Sequence, residues 1–416
     1  MQTGVLARLQ RYLTKPRGRA GLVIIVLAAS LVLRVLLFDI PGCYGDQACF
    51  SSWFNHAAEV GLRVFYEPPN WCDYPPFNVY IFWIFGNLSH AIGPDSLPFI
   101  LKLPANLFDL ATAYLIFRFL SQKFSFKVSL AVMAAYAFNP ATIFDLAVWG
   151  QMDSVYTFFM VASLYSGLRS KYELSGGLLA LAILTKPQSI VLLPVIAYVI
   201  LRNGGWKRAL SSSAVFGVVT FLVILPFEWD NPVTFLVERY HGYGVYPYLS
   251  AHAYNFWALL GFWKPDADPM LGLNPQIWGI LAFCAFVAFI MWQLHRRYEP
   301  RAAIFAVFLL MFGFFMLMTR MHERYLFSVF ALLALGWYTR FTLVIYLGLT
   351  ATFFANLAYV LSLLNSGLTI PDGHWSIYVL VPANAALFFF SIWSFYRMQR
   401  PKGSDDSTIL SSPTRL

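Results

Sequence analysis

The stretch Tyr74-Pro75-Pro76 followed by FNVYIFWIFGNLSHAI (residues 77–92) decides how the whole chain is laid out. It is one of thirteen apolar runs; the others lie at about 21–40, 99–119, 128–144, 154–169, 174–185, 189–202, 209–226, 276–294, 301–319, 325–338, 341–364 and 377–396. The N-terminal tail carries Arg8, Arg11, Lys15, Arg17 and Arg19 without an acid, and further basic clusters centre on Lys123, Arg169, Arg208, Arg297, Arg340 and Arg397. If every run crosses a membrane, each cluster after the second run falls on the side opposite the basic tail. If 77–92 does not cross fully, all of them fall on the tail's side, and every acid except Glu173, Glu299, Asp405 and Asp406 lies on or faces the other. Cytoplasmic loops hold the excess of Lys and Arg, so the second arrangement is expected. It has about twelve spans, both termini cytoplasmic, and 77–92 as a helix in the outer leaflet, opened by prolines that suit a first turn. The competing arrangement is thirteen spans with the C-terminus outside.

Composition agrees with this layout. The 416 residues are 59% hydrophobic and only 12% charged, against about 25% charged for a soluble domain. That excludes a soluble globular enzyme and a disordered chain, and four cysteines are too few for a disulfide scaffold. The expected class is an all-α polytopic integral membrane protein. Its parts are a basic cytoplasmic N-terminal tail (1–20), one transmembrane domain (21–396) with long outer loops at 41–98 and 227–275, and a cytoplasmic tail (397–416). The first apolar run has no small-residue cleavage site and is expected to remain as a span. The net charge of +9 reads as an orientation signal and not as a nucleic-acid surface. No Walker, GxGxxG, HExxH or CxxC motif occurs, so no nucleotide, metal or other cofactor is expected.

Ionisable residues in or against a membrane are functional candidates by default. Asp46, in Tyr44-Gly45-Asp46-Gln47, lies just beyond the first span; it is a helix cap or a carboxylate at the lip of a cavity. Asp145, Trp149, Gln151 and Asp153 form a dense polar group between two runs, either a solvated turn with a capping aspartate or a site. Lys186, with Gln188 in Thr185-Lys186-Pro187-Gln188, either snorkels or binds an anionic headgroup. Arg320-Met321-His322-Glu323-Arg324 is a charged corner between apolar runs. Lys102 and Asp109 lie seven apart on one helix face and either bind ligand or neutralise each other. Together these groups fit a substrate that is part lipid and part polar. A lipid-linked phosphate would lie near Lys186, His322 and Arg324, and Asp46 would accept the proton of an incoming hydroxyl.

The order Gly45-Asp46 with Trp53, Asp73-Tyr74-Pro75-Pro76, Asp109, Asp145…Gln151…Asp153-Ser154, Lys186…Gln188 and His322-Glu323 resembles one family. It is similar to the multi-span C-type (GT-C fold) glycosyltransferases, especially the family-57-like dolichyl-phosphate-glucose α-1,3-glucosyltransferases of asparagine-linked glycan assembly. The resemblance implies a polyprenyl-phosphate-linked sugar donor and an inverting displacement with Asp46 as base. It also implies a juxtamembrane Tyr-Pro-Pro helix beginning at Tyr74. Ala48 stands where those enzymes often carry an acid. The chain is expected to be a bacterial plasma-membrane relative with its site facing outside, moving glucose or mannose to a lipid-linked glycan or other hydroxyl acceptor. Cys43, Cys49 and Cys72 share the first outer loop; either Cys72 bridges to Cys43 or Cys49, which is the expectation taken forward, or the thiols are buried and unpaired. A transporter or flippase of a lipid-linked sugar is the alternative; it calls for inverted repeats and charges in both leaflets, and neither is visible. A scaffold subunit is the third reading, and it needs no ordered acids at helix mouths.

Overall fold

The computed structural model describes residues 16–241, 246–336 and 339–399. Most of the two expected tails, 1–15 and 400–416, lies outside the described residues. Among the described residues there are helices and short helical turns, and no strand beyond isolated bridges. Seven helices are long and apolar enough to cross a membrane, and the bent pair Phe126–Ala137 and Pro140–Trp149 makes an eighth. The chain is an all-α polytopic membrane protein.

The remaining expected runs are also helical but shorter. Runs 154–169 and 174–185 become Asp153–Leu168 and Tyr172–Thr185, helices of 16 and 14 residues. At 1.5 Å per residue neither reaches across a core of roughly 30 Å. Both are largely buried. Runs 189–202 and 209–226 form one long element, broken where Gly205 takes φ 74° and ψ 178°. The first helix starts at Pro16, five residues before the expected run.

The first outer loop is two packed helices, Tyr44–Val60 and Pro76–Ile92. The second has 17 residues and reaches about 25 Å, short of a full crossing. Trp53 stacks on Phe82 at 5.9 Å between them. At Gly86 a Cβ would sit 2.1 Å from the Phe54 carbonyl oxygen, so the helices touch backbone to backbone there. Pro76 occupies the first helical position, as its sequence context predicts.

One buried ion pair ties the bundle together. Arg34, in the first helix, donates to Asp109 at 2.6 Å, and both side chains are fully enclosed. Arg34 also donates to Asn106 Oδ1 and to the Ala137 carbonyl, while the Tyr136 hydroxyl donates to the other Asp109 oxygen. Asp109 is therefore neither a ligand group nor a partner of Lys102, which corrects the sequence expectation. Lys102 Nζ donates instead to the carbonyls of Phe38 and Ile40, at 2.7 and 3.0 Å, where the first helix ends. Hydropathy cannot reveal such a pair, since Arg34 sits alone in an otherwise apolar run.

Candidate functional site

Asp46 lies in the first turn of Tyr44–Val60, but Cys43 holds the cap position and no side chain caps the helix. The capping reading of Asp46 fails. Its Oδ2 accepts from Trp149 Nε1 at 2.8 Å and from Gln151 Nε2 at 2.5 Å. Among the described residues nothing donates to Oδ1, and the side chain is 31% exposed.

Local backbone chemistry aims those two donors. Residues Phe144–Trp149 form a π-helical turn that ends on Gly150 at φ 91°, a left-handed conformation natural to glycine. The amides of Gly150 and Gln151 both donate to the Asp145 carbonyl, at 3.1 and 3.0 Å. Gly42 presses on this turn: a Cβ there would lie 2.4 Å from the Trp149 oxygen. π-Turns are frequent at functional sites.

Arg324 approaches Asp46 from the opposite side of the fold. One guanidinium nitrogen is 2.9 Å from Glu323 and 4.0 Å from Asp46 Oδ2. Burial pushes the Glu323 carboxyl up, against the pull of Arg324. Burial, with Arg324 and Lys186 nearby, pushes the His322 imidazole well down. The ring meets Tyr246 edge-on at 4.9 Å.

Lys186 does not snorkel. It forms a buried ion pair with Asp153 and lies over the Tyr325 and Tyr156 rings, at 4.8 and 5.4 Å. Asp145 is completely buried, and neither carboxyl oxygen has a partner among the described residues. A cavity of about 230 Å³ adjoins this group, with Tyr74, Lys186, Gln188 and Arg324 in its wall and Phe314 and Met318 on its apolar side. The structure thus gathers ten of the eleven expected binding residues around Asp46 and the cavity; Asp109 is the exception.

Asp73, Tyr246 and Arg320 also line the wall and are not among the expected binding residues. Asp73 adjoins the Tyr74-Pro75-Pro76 signal and Arg320 belongs to the charged corner, so both were within reach; Tyr246 carried no signal. The structure has Cys43, Cys49 and Cys72 as free thiols, against the expected bridge. Cys43 and Cys72 are buried, and Cys49 is partly so. Among the described residues no group of three or more His, Cys, Asp or Glu is placed to hold a metal ion.

The site joins a carboxylate held by two donors to a cavity with cationic and apolar walls in a helical membrane bundle. The profile of glycosyltransferase family 87 matches residues 71–320, well over half of the chain, and the protein belongs to that family. The match takes in Asp73 through Arg320; Asp46 and His322-Glu323-Arg324 lie just outside it. The chain is also similar to GPI mannosyltransferase 1 of Saccharomyces cerevisiae, 26% identical over 160 residues. That stretch is 37% of this chain and 40% of the yeast protein's length.

Proposed function

We propose that this protein moves a hexose from a polyprenyl-phosphate-linked donor to the hydroxyl of a lipid-linked glycan or other acceptor, with inversion. The observation that carries the reading is the state of Asp46. One oxygen is fixed by Trp149 and Gln151, and the other is left without a protein donor among the described residues.

In the reaction the acceptor oxygen attacks the anomeric carbon from the face opposite the phosphate. A new carbon–oxygen bond forms there while the bond from that carbon to the phosphate oxygen breaks. The acceptor proton passes to Asp46, and the bonding pair leaves with the phosphate. Lys186 and Arg324, both in the cavity wall, would hold the charge that develops on the phosphate. Fixed donors in a water-poor site stabilise such charge strongly, since they need not reorganise as it develops. The lipid chain would leave along Phe314 and Met318. Mannose is the first sugar to test, because the yeast relative is named a mannosyltransferase; glucose is the second. The charge distribution supports a site on the outer face with both termini on the cytoplasmic side. A C-terminal reporter active only outside the cytoplasm would overturn that orientation.

The test uses purified protein, a short synthetic polyprenyl-phosphate mannose or glucose, and candidate acceptors. Loss of a general base costs about 10²–10⁴-fold, so Asp46→Asn should transfer sugar slower by that factor. Equal transfer by both proteins removes Asp46 from the role.

A further inference from the structure

The wall of the cavity is charged in an uneven way. Three cations reach it: Lys186, Arg320 and Arg324. Each is backed by a carboxylate that stays outside the wall. Asp153 pairs with Lys186, Asp266 takes two hydrogen bonds from Arg320 at 2.7 and 3.1 Å, and Glu323 takes one from Arg324 at 2.9 Å. Among the described residues Asp73 is the one acid in the wall itself.

Asp73 is also the wall acid without a cation of its own. Its Oδ1 is enclosed and has no hydrogen-bond partner among the described residues, and no Lys or Arg nitrogen there lies within salt-bridge distance. The chain on either side of it is pinned. Trp53 Nε1 donates to the Trp71 carbonyl at 2.7 Å, and the Tyr66 hydroxyl donates to the Tyr74 carbonyl at 2.6 Å. Beyond Tyr74 the prolines begin a helix. The backbone on both sides of Asp73 is therefore held in place.

An enclosed acceptor without a donor is costly. An anion cannot relieve it, since a phosphate beside a carboxylate is repelled. A neutral donor can, and the part of a lipid-phosphate-sugar that offers neutral donors is the sugar. We propose that Asp73 binds a hydroxyl of the donor hexose and so determines which hexose is accepted. The three cations take the phosphate end, Asp73 takes the sugar end, and the substrate is held in one direction. This rests on the donor class proposed above.

The test compares wild type with Asp73→Ala and Asp73→Asn, using short polyprenyl-phosphate mannose, its monodeoxy analogues, and polyprenyl phosphate bearing no sugar. Wild type should lose roughly ten- to hundredfold in kcat/KM on one deoxy donor, the magnitude of a hydrogen bond to a charged group. Asp73→Ala should lose a similar factor on the full donor and show no further loss on that deoxy donor. Equal deoxy penalties in Asp73→Ala and wild type overturn the proposal.

A binding measurement keeps the two readings apart. Wild type should bind the sugar-bearing lipid more tightly than the bare phosphate lipid, and Asp73→Ala should abolish that difference while leaving the bare lipid's affinity in place. Equal loss of affinity for both lipids shows a structural role and overturns the proposal. Asp73→Asn keeps the shape and an acceptor oxygen, so it serves if the alanine variant does not fold. If wild type transfers no hexose at all, the donor reading fails on activity, and the binding difference still judges Asp73.

Discussion

Trp149 donates its indole N–H to Asp46 Oδ2 at 2.8 Å, joining the turn after the bent helix pair to the first outer helix. The indole is fully buried. Hydrogen bonds to charged groups contribute about 1.5–3 kcal/mol. Trp149→Phe keeps most of the ring volume and removes the donor. Sugar transfer should fall roughly ten- to hundredfold in kcat, with a smaller change in KM for the donor. Unchanged kcat would show that Gln151 alone orients the carboxylate.

A second prediction concerns the glycine that lets this turn approach. At Gly42 a Cβ would meet the Trp149 oxygen at 2.4 Å and the Val148 oxygen at 2.6 Å, and backbone atoms cannot yield as a flexible side chain can. In Gly42→Ala the turn must move away from the first outer helix. A displacement near 1 Å at a catalytic group costs on the order of 10²-fold. Activity should fall by about that much, with far-ultraviolet circular dichroism unchanged. Full activity would mean that Asp46 follows the turn.

How much of this was legible in the sequence depends on the kind of signal. Charge asymmetry around 77–92 favours a helix that does not fully cross, and the 17-residue helix at Pro76–Ile92 accords with that. Membrane class follows from apolar run length, which reads out a thickness directly. Collinear motifs point to Asp46 and Gln151, and local polar clusters point to Trp149 and Arg324, while the contacts among them depend on how distant helices pack. Asp109 was misread for that reason. Its neighbour in sequence is Lys102, but its partner is Arg34, and no local pattern connects them. Cysteine spacing likewise says nothing about where the thiols point, and Cys43 and Cys72 are buried as free thiols.

The Arg34–Asp109 pair carries a third prediction. Removing one member of a buried pair leaves an uncompensated charge and costs about 3–5 kcal/mol. Asp109→Asn and Arg34→Met should each lower the unfolding temperature markedly in detergent. Replacing both with apolar residues, Arg34→Met with Asp109→Leu, should recover a large part of the loss, because well-packed hydrophobic replacements of buried pairs are often near neutral. Thermal unfolding followed by size-exclusion chromatography reads all three. Additive losses in the double variant would show that the two residues act separately.

The last prediction concerns pH. His252 lies in the outer segment next to the site, where burial lowers its pKa from 6.5 to about 4. Its Nε2 accepts from Trp263 Nε1 at 3.0 Å, a bond that protonation would break. The unfolded chain binds a proton to this group below about pH 6.5, whereas the folded chain resists until about pH 4. Between those values the unfolded state holds more protons, so this group's contribution to stability is complete above 6.5 and declines as pH falls. The decline is about 1.4 kcal/mol per pH unit. Glu323 and Asp73 act in the opposite sense, because burial raises both carboxyls, and each favours the folded state as it takes up its proton. His322, also pushed down by burial, adds to the slope of His252. The contribution of His252 is therefore read as a difference. His252→Gln retains an acceptor for Trp263 and does not titrate, so its unfolding temperature should fall less steeply than that of wild type between pH 6.5 and 4.5. Parallel curves would mean that the imidazole is already protonated in the folded protein and that the Trp263 bond is not made at its Nε2.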